Sequence, residues 1–264
     1  MPKAHSQIFK FSNFQIAAWC FFTLVLSLGY SPTLAQGPAT VKEYSKVFKT
    51  YPFSDPDPVA RMGHIYPYFR FDGYTDKAVD KSWKVVELEN DYISVIILPE
   101  IGGKIWAAKE KSSGKAFLYD NHVVKFRDIA MRGPWTSGGI EANYGIIGHT
   151  PNCATPVDYV VRRDLFDGSV SCFIGTLDLL TQTYWTMEIK LEADKAYFTT
   201  RSFWSNTTAL EQPYYTWMNA GIKAAGDLEF VYPGTHYLGH DGSHKPWPLH
   251  ENGKNISFYE QNNF

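Results

Sequence analysis

The sequence predicts an all-β protein, built as a large antiparallel β-sandwich. Runs of β-branched and aromatic residues recur along the chain at near-regular spacing, separated by short turns rich in Gly, Asn and Asp. Aromatic residues make up 16% of the chain, a high share that favours strands. Residues 122–130 carry the one helix-like pattern, so alternating strand–helix units are not expected.

The first 35 residues have the pattern of a secretory signal peptide. Basic residues precede an apolar run at 16–28, and small residues at 31–35 offer a cleavage point before Gln36. The alternative is an uncleaved membrane anchor, but the run is shorter than the ~20 residues that a span requires. We therefore expect an exported protein, periplasmic or extracellular, with no membrane attachment after leader removal.

Residues 36–80 are rich in proline and aromatic residues, as in the segment 51–58. Proline at this density disfavours helix and most positions in a strand ladder. We interpret this segment as an extended lead-in that lies across a sheet. The sandwich itself is expected over residues 81–264.

The strands of the sandwich are predicted in chain order. Residues 83–89 and 92–98 form a hairpin through Asn90-Asp91, because both runs are β-branched and the connection is turn-forming. The further predicted strands are 105–109, 116–119, 157–163, 169–178, 183–191, 196–204, 213–221 and 228–232. The chain then stops where another strand is expected, so we interpret the sandwich as incomplete at its C-terminal end.

The segment 131–158 is predicted to be a functional loop. It is too rich in Gly and Pro for a helix and too irregular for a single strand, yet it contains many aromatic and polar side chains. Long loops in compact domains are usually either functional or disordered, and the aromatic content argues against disorder. We expect a binding loop at the mouth of the sandwich, for a sugar.

Sugar chemistry selects the candidate site residues. A sugar offers an apolar face of C–H groups ringed by hydroxyls, which suits an aromatic platform with amides, carboxylates and Arg around it. The candidate platforms are Trp135, Tyr144, Trp217 and Trp247. The candidate polar contacts are Arg132, Asn143, Tyr215, Asn219, His240 and Asp241. Glu141 and His149 are the candidate catalytic acid or base.

Two cysteines remain after leader removal, Cys153 and Cys172. In an oxidising compartment an even pair favours a disulfide, and free buried thiols are the alternative. A bridge would tether the end of the 131–158 loop to the strand that follows it.

Net charge and histidine spacing limit the classes of ligand that the protein is expected to bind. A net charge of −2 without a basic block excludes the electrostatic footprint of a nucleic-acid-binding protein. Four histidines cluster at 236–250, but Gly and Pro between them rule out a helix that would align them for zinc. We expect neither a metal nor another cofactor, and a substrate-facing loop at His240, Asp241 and Trp247.

Several motifs resemble the galactose mutarotase-like (aldose epimerase) superfamily. Residues 89–105 resemble its opening hairpin, in which an Asn-led strand runs into a Gly-rich turn. Segments 131–133, 138–140 and 148–149 are similar to the Arg-Gly-Gly and His-Gly segments of its hexose-phosphate epimerases. Residues 212–219 resemble its His-x-Tyr-Phe-Asn strand. The resemblance covers roughly residues 83–232.

More narrowly, residues 138–145 with 148–151 are similar to an uncharacterised secreted branch that is often found ahead of tetratricopeptide repeats. The resemblance implies a large sandwich with a carbohydrate on its concave face. It places His149 at a catalytic histidine of the epimerases and Arg132 at their substrate-holding arginine. Tyr215 stands where the second histidine is expected, and no residue clearly matches the general-base glutamate.

Two hypotheses for function follow. The first is an exported carbohydrate-active enzyme, a glycoside hydrolase or an epimerase, that uses acid and base groups of the 131–158 loop. The second is a non-catalytic carbohydrate-binding domain, favoured by the aromatic content and the replaced histidine.

Overall fold

The computed structural model describes residues 37–53, 73–128, 134–144, 151–179, 181–239 and 241–262. Within these ranges the chain forms β-strands and two 3-10 turns, and no α-helix, so the all-β prediction is confirmed. None of the helical segments in these ranges is long and apolar enough to cross a membrane. The chain divides into Met1–Gly37 and one compact unit, Pro38–Phe264. The predicted leader lies outside the described residues.

Strand bounds in the first half are β1 Thr40–Tyr51, β2 Val79–Glu89, β3 Ile93–Leu98, β4 Lys104–Glu110, β5 Val123–Lys125, β6 Arg127–Asp128, β7 Pro134–Trp135 and β8 Ile140–Asn143. Those in the second half are β9 Asp158–Arg163, β10 Val170–Asp178, β11 Thr183–Leu191, β12 Phe198–Ser205, β13 Trp217–Ala220, β14 His236–Leu238 and β15 His244–Pro246. The 3-10 turns are Pro151–Ala154 and Tyr259–Gln261.

Two sheets form the sandwich. The larger has seven strands in the order β13-β8-β4-β3-β2-β1-β5, and the smaller has four in the order β12-β11-β10-β9. Strands β14 and β15 form a separate hairpin, and β6 pairs with β7. All pairs are antiparallel except β1 with β5, so the larger sheet is mixed rather than purely antiparallel.

The prediction of an extended lead-in at residues 36–80 is wrong for residues 40–51, which form strand β1. Strand β1 pairs with β2 along its length, from Thr40 opposite Glu89 to Thr50 opposite Val79. Residues 40–51 contain no proline, so every backbone N–H is available to a ladder. The proline content that suggested an extended segment belongs to the residues that follow.

The helix expected at 122–130 is also wrong in its described part, 122–128. Val124 and Phe126 are buried whereas Lys125 between them is exposed, an alternation of period two that suits strands. This segment forms β5, parallel to β1, and then β6.

The predicted hairpin at Asn90 is confirmed. The Asn90 side-chain oxygen accepts hydrogen bonds from the backbone N–H groups of Tyr92 and Ile93, both at 2.9 Å. Its amide donates to the carbonyls of Glu192 and Lys195, at 2.8 and 2.7 Å. One buried side chain therefore closes the β2–β3 turn and joins it to the β11–β12 turn of the other sheet.

Two apolar clusters lie on the two faces of the larger sheet. The inter-sheet core packs side chains such as Leu88, Val95 and Ile105 against Ile174 and Met187 of the smaller sheet. The second cluster, which includes Trp83, Leu98 and Trp106, lies on the opposite face, which we call the outer face. Burying both faces of the central strands explains their nearly continuous apolar sequence.

Candidate functional site

The candidate site lies on the outer face of the larger sheet, where β4, β8 and the edge strand β13 run side by side. Ile105 of β4 pairs with Ile140 of β8, and both side chains belong to the inter-sheet core. Because successive side chains of a strand point to opposite faces, Lys104 and Glu141 lie on the outer face, in adjacent strands.

Lys104 is a buried cation, only 3% exposed. Its ammonium group donates to the backbone carbonyl of Thr136 and, at 3.2 Å, to the Thr136 hydroxyl. Burial lowers the pKa of Lys104 to about 8, and the negative charge of Glu141 acts against that shift. Lys104 therefore combines a desolvated amine with a nearby carboxylate.

An indole ring lies beside this amine, at a β-bulge in β4. The β3–β4 ladder shifts register between Ile96 and Ile97, which pair with Ala107 and Ile105 and leave Trp106 as the extra residue. As a result Trp106 and Ala107 both belong to the apolar cluster of the outer face, and the Trp106 ring centroid lies 5.9 Å from Lys104 Nζ. Its indole N–H donates to the Asn121 carbonyl at 2.9 Å. Bulges often re-aim side chains in this way near functional sites.

Strand β8 contributes two buried polar side chains to the same face. Asn143 donates its amide N–H to Glu141 Oε1 at 2.8 Å, and the Cys153 thiol donates to Asn143 Oδ1 at 3.3 Å. Glu141 is 4% exposed and Asn143 is 1% exposed. What we call the polar cluster consists of Lys104, Thr136, Glu141, Asn143 and Cys153.

Strand β13 brings less buried groups next to the polar cluster. Trp217 lies opposite Asn143, and Asn219 lies opposite Glu141. Trp217 is half-buried and Asn219 is exposed. Tyr215, 56% exposed, has its ring centroid 4.7 Å from that of Trp217. Antiparallel partners share a face, so an aromatic group and an amide border the buried charges.

Close backbone contact holds β8 against β4. Gly139 has a positive φ of 59°, and a Cβ placed there would lie 2.9 Å from the Trp106 carbonyl oxygen and closer still to that of Ile105. Gly221, just after β13, approaches Gly138 in the same way. Because glycine has no side chain, the backbones of β4, β8 and β13 approach each other closely at these points.

The predicted loop at 131–158 has more regular structure than expected. Its described part contains β7, β8 and the 3-10 turn at Pro151–Ala154. Trp135 lies on β7 and is half-buried, with its ring centroid 5.7 Å from Lys104 Nζ. Trp135, Glu141, Asn143, Trp217 and Asn219 are therefore brought together around one face.

Tyr144 is not a sugar platform, and that expectation is wrong. It is 2% exposed in the inter-sheet core, where its ring stacks on Trp185 at 4.3 Å between centroids. It follows Asn143 by one residue, and a one-residue step reverses the face of a strand.

Asp241 and Trp247 lie in a different place, at the β14–β15 hairpin. Asp241 accepts hydrogen bonds from the Ser243 N–H and hydroxyl, at 2.9 and 2.6 Å, and these lower its pKa. Trp247 packs edge-to-face on Tyr232. Both residues have local structural roles in this hairpin. Arg132, His149 and His240 lie outside the described residues.

The predicted disulfide is wrong, because Cys153 and Cys172 are both free, buried thiols. Cys172 lies in the inter-sheet core, whereas Cys153 binds Asn143 on the outer face. The larger sheet therefore lies between them. Burial raises the pKa of Cys172 to about 12, so this thiol stays protonated.

No group of three or more His, Cys, Asp or Glu side chains that could hold a metal ion occurs within the described ranges. His236 and His244 stack on each other, with ring centroids 3.9 Å apart.

Sequence reasoning missed Lys104 and Thr136. A lysine is usually a surface residue, and Thr136 has no motif of its own. The available signal was the position of Lys104, the one charge inside the otherwise apolar run 101–108. A charge in a strand buried on both faces requires a polar partner.

Comparison with known proteins identifies the fold and the family. A crystal structure of a TPR-domain containing protein from Parabacteroides distasonis ATCC 8503 is similar, with a TM-score of 0.69 and 24% sequence identity. The match covers 76% of this chain and 35% of that one, so this chain corresponds to about a third of that protein. The family described as "Domain of unknown function (DUF5107)" matches residues 60–264. The chain therefore belongs to the DUF5107 family.

Proposed function

We propose that this protein is an exported carbohydrate-binding protein that holds a sugar on the outer face of the larger sheet. The observation that carries the proposal is the placement of Trp217 and Asn219 on β13, directly opposite Asn143 and Glu141 on β8. This arrangement joins an aromatic surface to a set of polar groups that are held in position by burial.

The chemistry of these groups suits a sugar. The apolar C–H face of a pyranose packs on an indole ring, and its hydroxyls exchange hydrogen bonds with amides. Trp217 and its neighbour Tyr215 offer two rings that are accessible in part, and Asn219 offers an exposed amide. The buried hydrogen bond between Asn143 and Glu141 fixes the strand beneath them.

The resemblance to the galactose mutarotase-like superfamily implies a sugar bound by a large sandwich, which supports carbohydrate as the class of ligand. The similar fold in a TPR-domain containing protein supports the association with tetratricopeptide repeats that the narrower resemblance implies.

Export is proposed from the leader pattern alone. N-terminal sequencing of the secreted or periplasmic protein should then start at Gln36, whereas an intact N-terminus in the cytoplasm would contradict export.

A catalytic role is the second candidate, favoured by the electrostatic interaction between Lys104 and Glu141. An amine with a pKa of about 8 beside a carboxylate is the kind of pair that transfers protons near neutral pH. In this version Glu141 acts as acid or base in a glycoside hydrolase or an epimerase. Glu141→Gln should then abolish turnover while glycan affinity stays unchanged.

Glycan binding by the full chain tests the proposal. A glycan array identifies the ligand, and calorimetric titration compares the wild type with Trp217→Ala and Asn219→Ala. Each substitution should weaken binding by roughly tenfold or more, the loss of one stacking or hydrogen-bonding contact. Phe166→Ala is the matched control, because Phe166 is a fully exposed aromatic in the β9–β10 turn. Folded protein that binds no glycan, or equal loss in the control, would overturn the proposal.

A further inference from the structure

The indole N–H of Trp135 is buried and has no hydrogen-bond acceptor among the residues that the structure describes. A buried donor of this kind normally meets an acceptor, since leaving it unpaired forfeits its hydrogen bonds to water. A bound molecule that carries an oxygen atom would supply the missing hydrogen-bond acceptor.

Trp135 belongs to the same site as the polar cluster. Its ring centroid lies 5.7 Å from Lys104 Nζ, and the next residue, Thr136, holds that ammonium group. Strand β7, which carries Trp135, thus borders the outer face beside Lys104 and Glu141. An oxygen that accepts from Trp135 would lie at the edge of this cluster.

We propose that the ligand of the outer face is an uncharged sugar, one hydroxyl oxygen of which accepts the hydrogen bond of Trp135 Nε1–H. This inference rests on the proposed function and names the class of sugar and the group that recognises it. Trp135 is then a specificity-determining residue.

The charges already present argue for an uncharged ligand. Lys104 carries a positive charge and Glu141 a negative one, both nearly completely buried. A sugar carboxylate or phosphate would add a second negative charge beside Glu141, where Lys104 is the buried cation among the described residues of the site. Buried charge without a partner is strongly unfavourable, so acidic sugars are disfavoured. A hydroxyl satisfies the indole donor and adds no charge.

The geometry of a single N–H donor suits a hydroxyl as well. An indole donates one hydrogen bond and accepts none, which leaves the sugar hydroxyl free to donate its own proton to a neighbouring acceptor. The exposed amide of Asn219, opposite Glu141 in the ladder, offers such an acceptor on the same face.

The first test compares ligands on the wild-type protein. The probes are neutral hexose oligosaccharides and oligosaccharides of the corresponding uronic acids, matched in length and linkage and titrated at pH 7. The neutral member of each pair should bind at least about tenfold more tightly. Equal or tighter binding of the uronic acid member would overturn the inference, and this comparison does not depend on any variant folding.

The second test removes the donor and keeps an aromatic ring. Trp135→Phe should weaken binding of the neutral sugar about tenfold, while Phe166→Ala binds as the wild type does. Unchanged affinity in Trp135→Phe would overturn the inference, because a water molecule would then be the partner of the indole. Thermal melting of each variant confirms that it is folded.

The two proposals fail in different ways. Absence of binding to every neutral and acidic glycan contradicts the proposed function. Neutral-sugar binding that depends on Trp217 but not on Trp135 supports the proposed function and contradicts only the present inference.

Discussion

Asn143 on β8 lies directly opposite Trp217 on the edge strand β13. One of these side chains is completely buried and the other is half-buried, so the pair marks the point where the buried polar cluster meets the surface. The Thr216 hydroxyl donates to the Asn143 carbonyl at 2.8 Å and adds a side-chain link between the two strands. The site therefore depends on a ladder between segments that are far apart in the sequence.

Lys104→Met should be neutral or stabilising at pH 7, by up to roughly 3 kcal/mol, because desolvation of the buried ammonium costs more than the attraction of Glu141 returns. Lys109→Met is the matched control. Lys109 is a neighbouring lysine of β4 that lies at the surface and pairs with Asp120, and a surface pair contributes less than about 1 kcal/mol. Urea unfolding measures both changes. A loss of stability of about 3 kcal/mol in Lys104→Met at pH 7, with no such loss in Lys109→Met, would contradict a net cost of the buried charge.

The stability contribution of Lys104 should also depend on pH. Its pKa falls from 10.5 to about 8 on folding, so below pH 8 the folded state carries the full cost of the buried charge. Between pH 8 and 10.5 the unfolded state binds more protons, and stability therefore rises with pH, by up to roughly 3 kcal/mol. The free energy of unfolding of the wild type minus that of Lys104→Met should increase over this range.

Titration of Cys172 has the opposite effect on stability, but it does not change the difference in free energy of unfolding between the wild type and Lys104→Met. Its pKa is raised from 9.0 to about 12 in the folded state, which lowers stability above pH 9 in both proteins alike. A difference between wild type and Lys104→Met that stays constant from pH 7 to 10 would contradict the lowered pKa of Lys104.

Tyr144→Ala should cost about 3–5 kcal/mol, the usual range for removing a large aromatic side chain from a core. Tyr215→Ala should cost less than about 1 kcal/mol, because this ring is exposed in large part. Both tyrosines are candidate ligand contacts by sequence, and chemical denaturation of the two variants separates a core residue from a surface residue. Similar losses would place Tyr215 in the core as well.

Gly139→Ala should be far more destabilising than Gly114→Ala. Both glycines have positive φ, 59° and 68°, so each substitution incurs about 1–2 kcal/mol of backbone strain. A Cβ at Gly139 also meets the carbonyls of Ile105 and Trp106, whereas one at Gly114 meets nothing within 4 Å. The added clash pushes β8 from β4 and should also abolish glycan binding. Melting and binding curves that match for the two variants would argue against close strand contact.

The cysteines should both be found reduced in protein purified without reductant. Iodoacetamide in denaturant, followed by mass spectrometry, should label Cys153 and Cys172 without prior reduction. In the native protein Cys172 should resist labelling at pH 8, since burial raises its pKa to about 12 and the thiolate is the reactive form. A mass lower by two hydrogen atoms, restored by reductant, would contradict free thiols.

Much of the fold could be predicted because its signals are local. The Asn90 turn places two β-branched runs next to each other, and the same kind of signal gave β9 to β12 within a few residues of their observed bounds. Strand β1 was missed because the composition of 36–80 was averaged, which hid a proline-free stretch.

The site was only partly predictable, because it depends on non-local pairing and on strand faces. Glu141, Asn143, Trp217 and Asn219 were chosen by side-chain chemistry, and the β8–β13 ladder that joins them could not be read from either segment alone. Tyr144 was assigned wrongly because the strand was taken for a loop, in which alternation gives no information. Lys104 was missed because its burial follows from the strands on both sides.

Hydrogen exchange in the presence of the array-identified glycan locates the binding face. The glycan should slow amide exchange in β8 and β13, at residues 140–143 and 217–220, and leave β9 and β10 of the smaller sheet unchanged. Protection confined to the smaller sheet or to the β14–β15 hairpin, with none in β8 and β13, would contradict a glycan site on the outer face.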